Sequence, residues 1–153
     1  VIAKQPVQVF KPTTDNRYAV GAVVSHIKSE VPCHPVPDAD SLYAAVVEGT
    51  VVVAIDEAQF FAKGLLDVAT QLASEGRRVI IAGLDMDSDG QPFGDMPSLM
   101  AVAESVKKLH AVCIQCGDDA SFSYHKGSKD DQVDVGADQY EARCRTCWTA
   151  QGV

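Results

Sequence analysis

The sequence predicts an α/β protein: a parallel sheet flanked by helices, with a small cysteine-bearing subdomain at the C-terminal end. Three observations predict it. Two apolar runs rich in β-branched residues, Thr50 to Ile55 (TVVVAI) and Arg78 to Leu84 (RVIIAGL), read as strands buried on both faces. Helical periodicity follows each run, over Phe61 to Ser74 and over Pro97 to Leu109. Past residue 110, two Cys-x-x-Cys pairs replace that alternation. The expected division is a core over residues 1–110 and a cysteine-bearing subdomain over 111–153.

Each element has a local reason. Val7 to Phe10 is a short β-prone run that Pro12 ends, because proline has no N–H to donate to a ladder. Lys11 to Tyr18 reads as a loop at that strand's C-terminal end, and Val20 to His26 as a shorter strand. Pro32, Pro35 and Pro37 make Glu30 to Asp40 an irregular connection. Asp40 or Ser41 is placed to cap a brief helix through Val47. In the helix over 61–74, Leu65, Leu66, Val68, Ala69 and Leu72 form the apolar stripe, and Glu75-Gly76 ends it. Met86 to Gly94 is a loop, and Pro97 suits the first turn of the last helix. Strand, helix, strand, helix at these lengths means crossover connections and parallel pairing.

Composition excludes several classes. Of 153 residues, 46% are hydrophobic and 22% charged, which is globular composition rather than that of a disordered chain. The formal net charge of -8 argues against a general nucleic-acid-binding face. No apolar run approaches the roughly 20 residues that span a bilayer, and Val1 to Pro6 is no secretory signal. The chain opens on Val1 rather than Met, which leaves processing and trimming open.

The chemistry-bearing residues gather in two places. Ligands of open parallel sheets bind beyond the carboxyl ends of the strands, and Asp15, Asp56, Glu57 and Asp85 all fall at predicted strand ends. An Asp at the tip of a buried strand can hold Mg2+, and a neighbouring Glu can act as a general base. A solvated strand end fits the same two acids. Phe60 and Phe61 add aromatic surface for a planar ligand. The second place is the cysteines. Cys113 and Cys116 precede Cys144 and Cys147 by 27 intervening residues. Four thiolates in two such knuckles suit one structural zinc and leave no open position for catalysis. Buried thiols or a redox pair are the other uses of such spacing. Without a secretory signal, metal is favoured over disulfides, and with it a reducing, cytoplasmic compartment.

Several segments, in order along nearly the whole chain, resemble the type II thymidine kinases, the zinc-containing tetrameric family, in a bacterial style. They are VFKPTTDNRY (9–18), VVSH (23–26), VVVAIDEAQFF (51–61), RRVIIAGLDMD (77–87), PFG (92–94), KKLHAVCIQCG (107–117 region) and VGADQYEARCRTC (135–147). The resemblance implies a RecA/P-loop-type sheet and a zinc-bound lasso, and transfer of the ATP γ-phosphate to the 5′-hydroxyl of thymidine. Position by position, it implies that Asp56 lies near Mg2+ and that Glu57 is the base on the 5′-hydroxyl. Asp15, with Arg17 nearby, meets the sugar. Phe60, Leu84 and Phe93 surround the base. Ser123, Val133, Val135, Gly136 and Tyr140 belong to the lasso over thymine, and Cys113, Cys116, Cys144 and Cys147 are its zinc ligands. Phe60, Leu84 and Val133 equally suit plain core packing, and Tyr140 a packed strand aromatic. Implied partners are thymidine or dTTP, with assembly as a homo-oligomer, a tetramer in the family, or as a subunit of a larger complex. No nucleic acid or membrane partner is expected.

Three departures accompany the likeness. No glycine here opens a GxxxxGK[ST] phosphate loop; in the family that loop precedes the region matching Val1 to Gln5. ATP and Mg2+ are therefore expected only with such a segment. Asp89 and Gln91 stand where cations are common in the family, and the Asp puts like charge beside like charge near a triphosphate. The stretch between Cys116 and Cys144 is shorter than in many bacterial members. Two readings follow: a kinase whose phosphate loop lies upstream of residue 1, and a non-catalytic relative acting as a structural subunit. A nucleic-acid-binding zinc module is a third reading, and the acidic charge opposes it.

Overall fold

A computed structural model describes residues 5–13, 22–24, 30–126 and 139–149. It has two compact units. The first comprises Val1–Asp85 and Phe93–Ala103, and the second Met86–Pro92 and Glu104–Val153.

The first unit is built on a four-stranded parallel sheet. Strand β1 is Val7–Pro12, and the short β2 (Ala22–Val24) and β3 (Glu30–Pro32) form a separate antiparallel pair. Strand β4 is His34–Val36, helix α1 is Ala39–Ala44, and strand β5 is Val52–Ile55. Helix α2 (Leu65–Ser74), strand β6 (Arg78–Ile81) and helix α3 (Met96–Val102) complete it. The sheet order is β4-β1-β5-β6, so β1 lies between β4 and β5, and the strand order reverses there. The register puts Phe10 opposite Ile55, and Ile55 opposite Ile81.

Burial explains these elements. In β5, Val52, Val53 and Ile55 are buried, as expected of a strand covered on both faces. Leu65, Val68, Ala69 and Leu72 put one stripe of α2 into the core. Each such Val, Leu or Ile side chain stabilises the fold by about 1.5–3 kcal/mol on full burial. Gln8 fastens β1 to the segment before β5: its amide oxygen accepts from the Val47 N–H at 2.8 Å and the Thr50 hydroxyl at 2.7 Å.

Five expectations are corrected. The helix over 61–74 begins only at Leu65, because Gly64 at φ 86° takes a left-handed conformation that helical backbone does not. The helix over 97–109 stops at Val102. Residues 101–110 are all exposed, so no packing supports further helical turns. The second apolar run pairs only over Arg78–Ile81, and it is an outer strand with alternating exposed and half-buried residues. The proline-rich stretch holds β3 and β4 as well as the start of α1. Pro35 is tolerated because β4 is an outer strand, where a missing N–H breaks no central ladder. The cap of α1 is Asp38, whose carboxylate accepts from the Ser41 N–H at 2.7 Å.

In the second unit, β7 (Ala111–Val112) pairs with β8 (Asp119–Ala120), and β9 (Phe122–His125) pairs with β10 (Tyr140–Arg143). Helix α4, Arg145–Thr149, follows. Among the described residues no helix is long and apolar enough to cross a membrane.

Leu72 is fully buried and Val47 is 62% exposed. Replacing Leu72 by Ala lowers stability in urea unfolding by about 2–5 kcal/mol, whereas Val47→Ala changes it by less than about 0.5 kcal/mol.

Candidate functional site

The parallel register delivers the acids. One residue past the paired rows, the Asp56 N–H still bonds to the Phe10 carbonyl at 2.9 Å, and the Ala82 N–H to the Ile55 carbonyl at 2.8 Å. The chain then breaks sharply. Glu57 has φ 51° and ψ 41°, and it is the one non-glycine residue with positive φ among those described. A side-chain-bearing residue in that region is under strain, and such strain persists where surrounding bonds enforce it. The enforcing bonds are the Ala58 N–H to the Ala82 carbonyl at 3.0 Å and the Phe60 N–H to the Glu57 carbonyl at 3.0 Å. A single 3-10 turn, Ala58–Phe60, results.

Gln59 holds the Glu57 side chain. It is only 3% exposed. Its amide nitrogen donates to Glu57 Oε2 at 2.7 Å, and its amide oxygen accepts from the Leu84 N–H at 3.1 Å. The second bond fixes the amide's orientation, because a backbone N–H can face only the oxygen. Two glycines make room for this turn. A Cβ on Gly83 would lie 2.6 Å from Gln59 Oε1, and one on Gly94 would lie 2.7 Å from the Gln59 carbonyl oxygen.

Aromatic surface adjoins the acids. Phe60 and Phe93 meet edge to face with centroids 5.6 Å apart. The Phe93 N–H bonds to the Asp85 carbonyl at 3.1 Å, which anchors that ring beside the end of β6. Phe60 and Phe93 are half-buried and Leu84 is 47% exposed, so none of the three is a core residue. The structure thus brings Asp56, Glu57, Phe60, Leu84 and Phe93 together at the carboxyl ends of β5 and β6. Asp15, Arg17, Val133, Val135 and Gly136 lie outside the described residues. Ser123 and Tyr140 lie in the antiparallel pair β9–β10 rather than in a loop, and Tyr140 packs against His125 with ring centroids 5.0 Å apart.

Gln59 and Lys11 escaped the sequence reading. Lys11, 2% exposed, ends β1 in the row beyond Phe10. Only the strand's amphipathic pattern could have flagged it: a lysine at the tip of a buried strand needs a reason.

The second unit gathers its cysteines. The ligand sulfurs of Cys113, Cys116, Cys144 and Cys147 lie within 4.8 Å of one another and could hold a metal ion. Each pair forms a knuckle. Gly117, at φ 84°, lets its N–H return to the Cys113 carbonyl at 2.9 Å, and the Cys147 N–H points to Cys144 Sγ at 3.5 Å. Backbone donors, first the Cys144 N–H, pull the Cys113 thiol down to about 6 against its burial. The Asp118 N–H lowers Cys116, but sharing protons with the Cys113 and Cys144 sulfurs outweighs it and pushes that thiol up to about 12. Crowded sulfurs thus resist carrying several negative charges unless a cation sits among them, and a dication relieves that repulsion. The donor set fits the metal.

The thymidine kinase family model matches residues 1–148. The chain belongs to the thymidine kinase family. It is 50% identical over 147 residues to a thymidine kinase of Bacteroides fragilis, covering 95% of this chain and 73% of that one. A thymidine kinase of Porphyromonas gingivalis is 51% identical over 150 residues, 96% of this chain and 72% of its own. One from Bdellovibrio bacteriovorus is 51% identical over 144 residues, 94% of this chain and 71% of its own. The four gathered cysteines fit the zinc-containing type II members.

Gln59→Leu strands the Leu84 N–H and removes a donor from Glu57. Urea unfolding should show a loss of about 1–3 kcal/mol, and hydrogen exchange at the Leu84 amide should quicken. A variant as stable as its parent would show the bridge to be dispensable.

Proposed function

We propose that this chain supplies the nucleoside site and the structural zinc centre for ATP-dependent phosphorylation of thymidine. The observation that carries the reading is Glu57, held in a strained conformation at a buried strand's tip with its carboxylate fixed by Gln59. A fixed carboxylate beside an exposed aromatic pair suits a base aimed at one hydroxyl of a planar-ringed substrate. In this reading Glu57 takes the proton of the thymidine 5′-hydroxyl as its oxygen bonds to the γ-phosphorus. The bond from that phosphorus to the bridging oxygen breaks, and ADP leaves with the electron pair. Phe60, Phe93 and Leu84 bound the thymine, Asp15 and Arg17 face the sugar, and Ser123, Val133, Val135, Gly136 and Tyr140 close over the ring.

Asp56 would hold Mg2+ through its carboxylate; when bound, the ion would supply positive charge to offset that of the phosphates. Cys113, Cys116, Cys144 and Cys147 would hold zinc as a structural ion, since four thiolates leave no site for a reacting water. A homo-oligomer, as in the family, and a cytoplasmic setting belong to the same reading.

A second reading, a non-catalytic relative acting as a structural or interaction subunit of a larger assembly, is favoured by Asp89. Its N–H and that of Gln91 both bond to the Asp87 carboxylate, at 3.0 Å and 2.8 Å. An acid, Asp89, and a neutral amide, Gln91, thus stand where the family commonly has cations.

Residues 1–153 carry no GxxxxGK[ST] segment, and phosphoryl transfer depends on positioning and charge neutralisation by such a loop. A protein of these residues alone should bind thymidine in calorimetry and form no thymidine monophosphate from ATP in a radiolabel assay. Turnover above the heat-inactivated control would refute that assignment.

Metal analysis should find one zinc per chain. Stripping it with a strong chelator should weaken thymidine binding by about tenfold or more, a loss of at least ~1.4 kcal/mol. Unchanged affinity in the stripped protein would separate the metal from the nucleoside site.

A further inference from the structure

The second unit contains a contact that neither zinc binding nor the proposed chemistry uses. Helix α4 has five residues, starts directly after Cys144 and contains Cys147. A helix that short is unstable without outside support, and metal bound by Cys144 and Cys147 would pin its first turn. The next residue, Trp148, donates its backbone N–H to the Cys144 carbonyl at 2.9 Å. Its indole stacks on Phe122, with centroids 4.7 Å apart and planes 20° apart. The Arg145 guanidinium lies 4.8 Å from the Phe122 ring centre.

The indole also holds the segment Met86–Pro92. That segment is a tight hairpin: Met86 bridges Pro92, the Asp87 N–H meets the Gln91 carbonyl at 2.9 Å, and the Gly90 N–H meets the Asp87 carbonyl at 3.1 Å. The Asp87 carboxylate caps it from within by accepting from the Asp89 and Gln91 N–H groups. Trp148 Nε1–H donates to the Ser88 carbonyl at 3.3 Å. Gly90, at φ 72°, lies so close that a Cβ there would stand 2.9 Å from Trp148 Cη2 and 3.3 Å from Cζ2. The hairpin is thus shaped to one indole by a hydrogen bond and a close backbone approach. The residue after Pro92 is Phe93, and the hairpin carries Asp89 and Gln91.

We propose that Trp148 is a positioning residue: it fixes the hairpin Met86–Pro92, and it does so only while metal gathers the cysteines on either side of it. The physical chain is short. Metal closes the α4 turn, the turn aims the indole, and the indole's N–H and flat face set the hairpin that leads into Phe93. The metal half of this inference rests on the zinc reading above, and the consequence for thymidine on the nucleoside reading.

Trp148 is the chain's single tryptophan, so its emission reports this contact directly. In the zinc-loaded protein, removing zinc should shift tryptophan emission to the red and speed exchange of the Asp87, Gly90 and Gln91 amides by about tenfold or more. Trp148→Ala should speed the same amides equally with zinc still bound at one per chain. Trp148→Phe, which keeps an aromatic ring and loses the N–H, should fall between. Gly90→Ala, which leaves the cysteines and the indole intact, should repeat the effect of Trp148→Ala. With zinc bound, Trp148→Ala should also weaken thymidine binding by about fivefold or more. Hairpin amides indifferent to chelation, or to both Trp148→Ala and Gly90→Ala in zinc-loaded protein, overturn the proposal. Loose hairpin amides with unchanged thymidine affinity confine Trp148 to a structural role and overturn its positioning one. A chain that takes up no zinc refutes the zinc reading and this proposal together. A parent chain that binds zinc but no thymidine refutes the nucleoside reading, and amide exchange still decides whether Trp148 holds the hairpin.

Discussion

The parallel register of β1, β5 and β6 sets where each candidate catalytic group leaves the sheet. Phe10, Ile55 and Ile81 stand in one row, so Lys11, Asp56 and Ala82 emerge side by side just beyond it. Sliding β5 by one residue would turn every side chain to the opposite face. Val53 and Ile55, which are 0% and 1% exposed, would then have to exchange places with the half-buried Ala54. Core packing therefore fixes the position of the Asp56 and Glu57 backbone, although neither acid belongs to the core.

Register alone does not aim a carboxylate. The left-handed turn at Glu57 reverses the chain within one residue, and that conformation disfavours any residue with a Cβ. Glycine would relieve the strain and would leave no acid. Keeping glutamate there means the surroundings must hold it, and the buried amide of Gln59 does so from one side while the Ala82 carbonyl holds Ala58 from the other. Gly83 and Gly94 belong to the same arrangement: each gives up a side chain so that Gln59 can lie flat between them. A buried polar group with both ends satisfied costs the fold little and confers a single geometry.

Much of this was legible in the sequence, for identifiable reasons. A strand covered on both faces must be apolar throughout, so TVVVAI declared β5 and located its acids. Two cysteine knuckles have few other uses, so the metal cluster was equally plain. The helix ends were less legible because they depend on packing: residues 103–109 carry helical periodicity yet are all exposed. The prolines of 32–37 read as breakers because outer-strand status is a property of the sheet and cannot be seen locally. Gln59 and Trp148 escaped for a related reason. A single glutamine or tryptophan forms no pattern, and its role appears only when a distant backbone, at Leu84 or at Ser88, arrives beside it.

The two units differ in what holds them. The first buries a continuous apolar cluster that includes Phe10, Leu42, Ile55, Phe61, Leu65 and Leu72. Among its described residues, the second gathers a cluster of Cys113, Ala120 and Cys144, with Ala142 and Cys147 against them. Three of those five residues are the proposed ligands, so the core and the metal centre are the same atoms. A cluster of that size supplies too little apolar burial to offset the entropy of ordering its strands. In the zinc reading proposed above, metal binding would act as folding energy for this unit. Cys113 and Cys144 lie inside the small core while Cys116 is exposed and Cys147 half-buried, and the hairpin contact through Trp148 would then draw its stability from the ion.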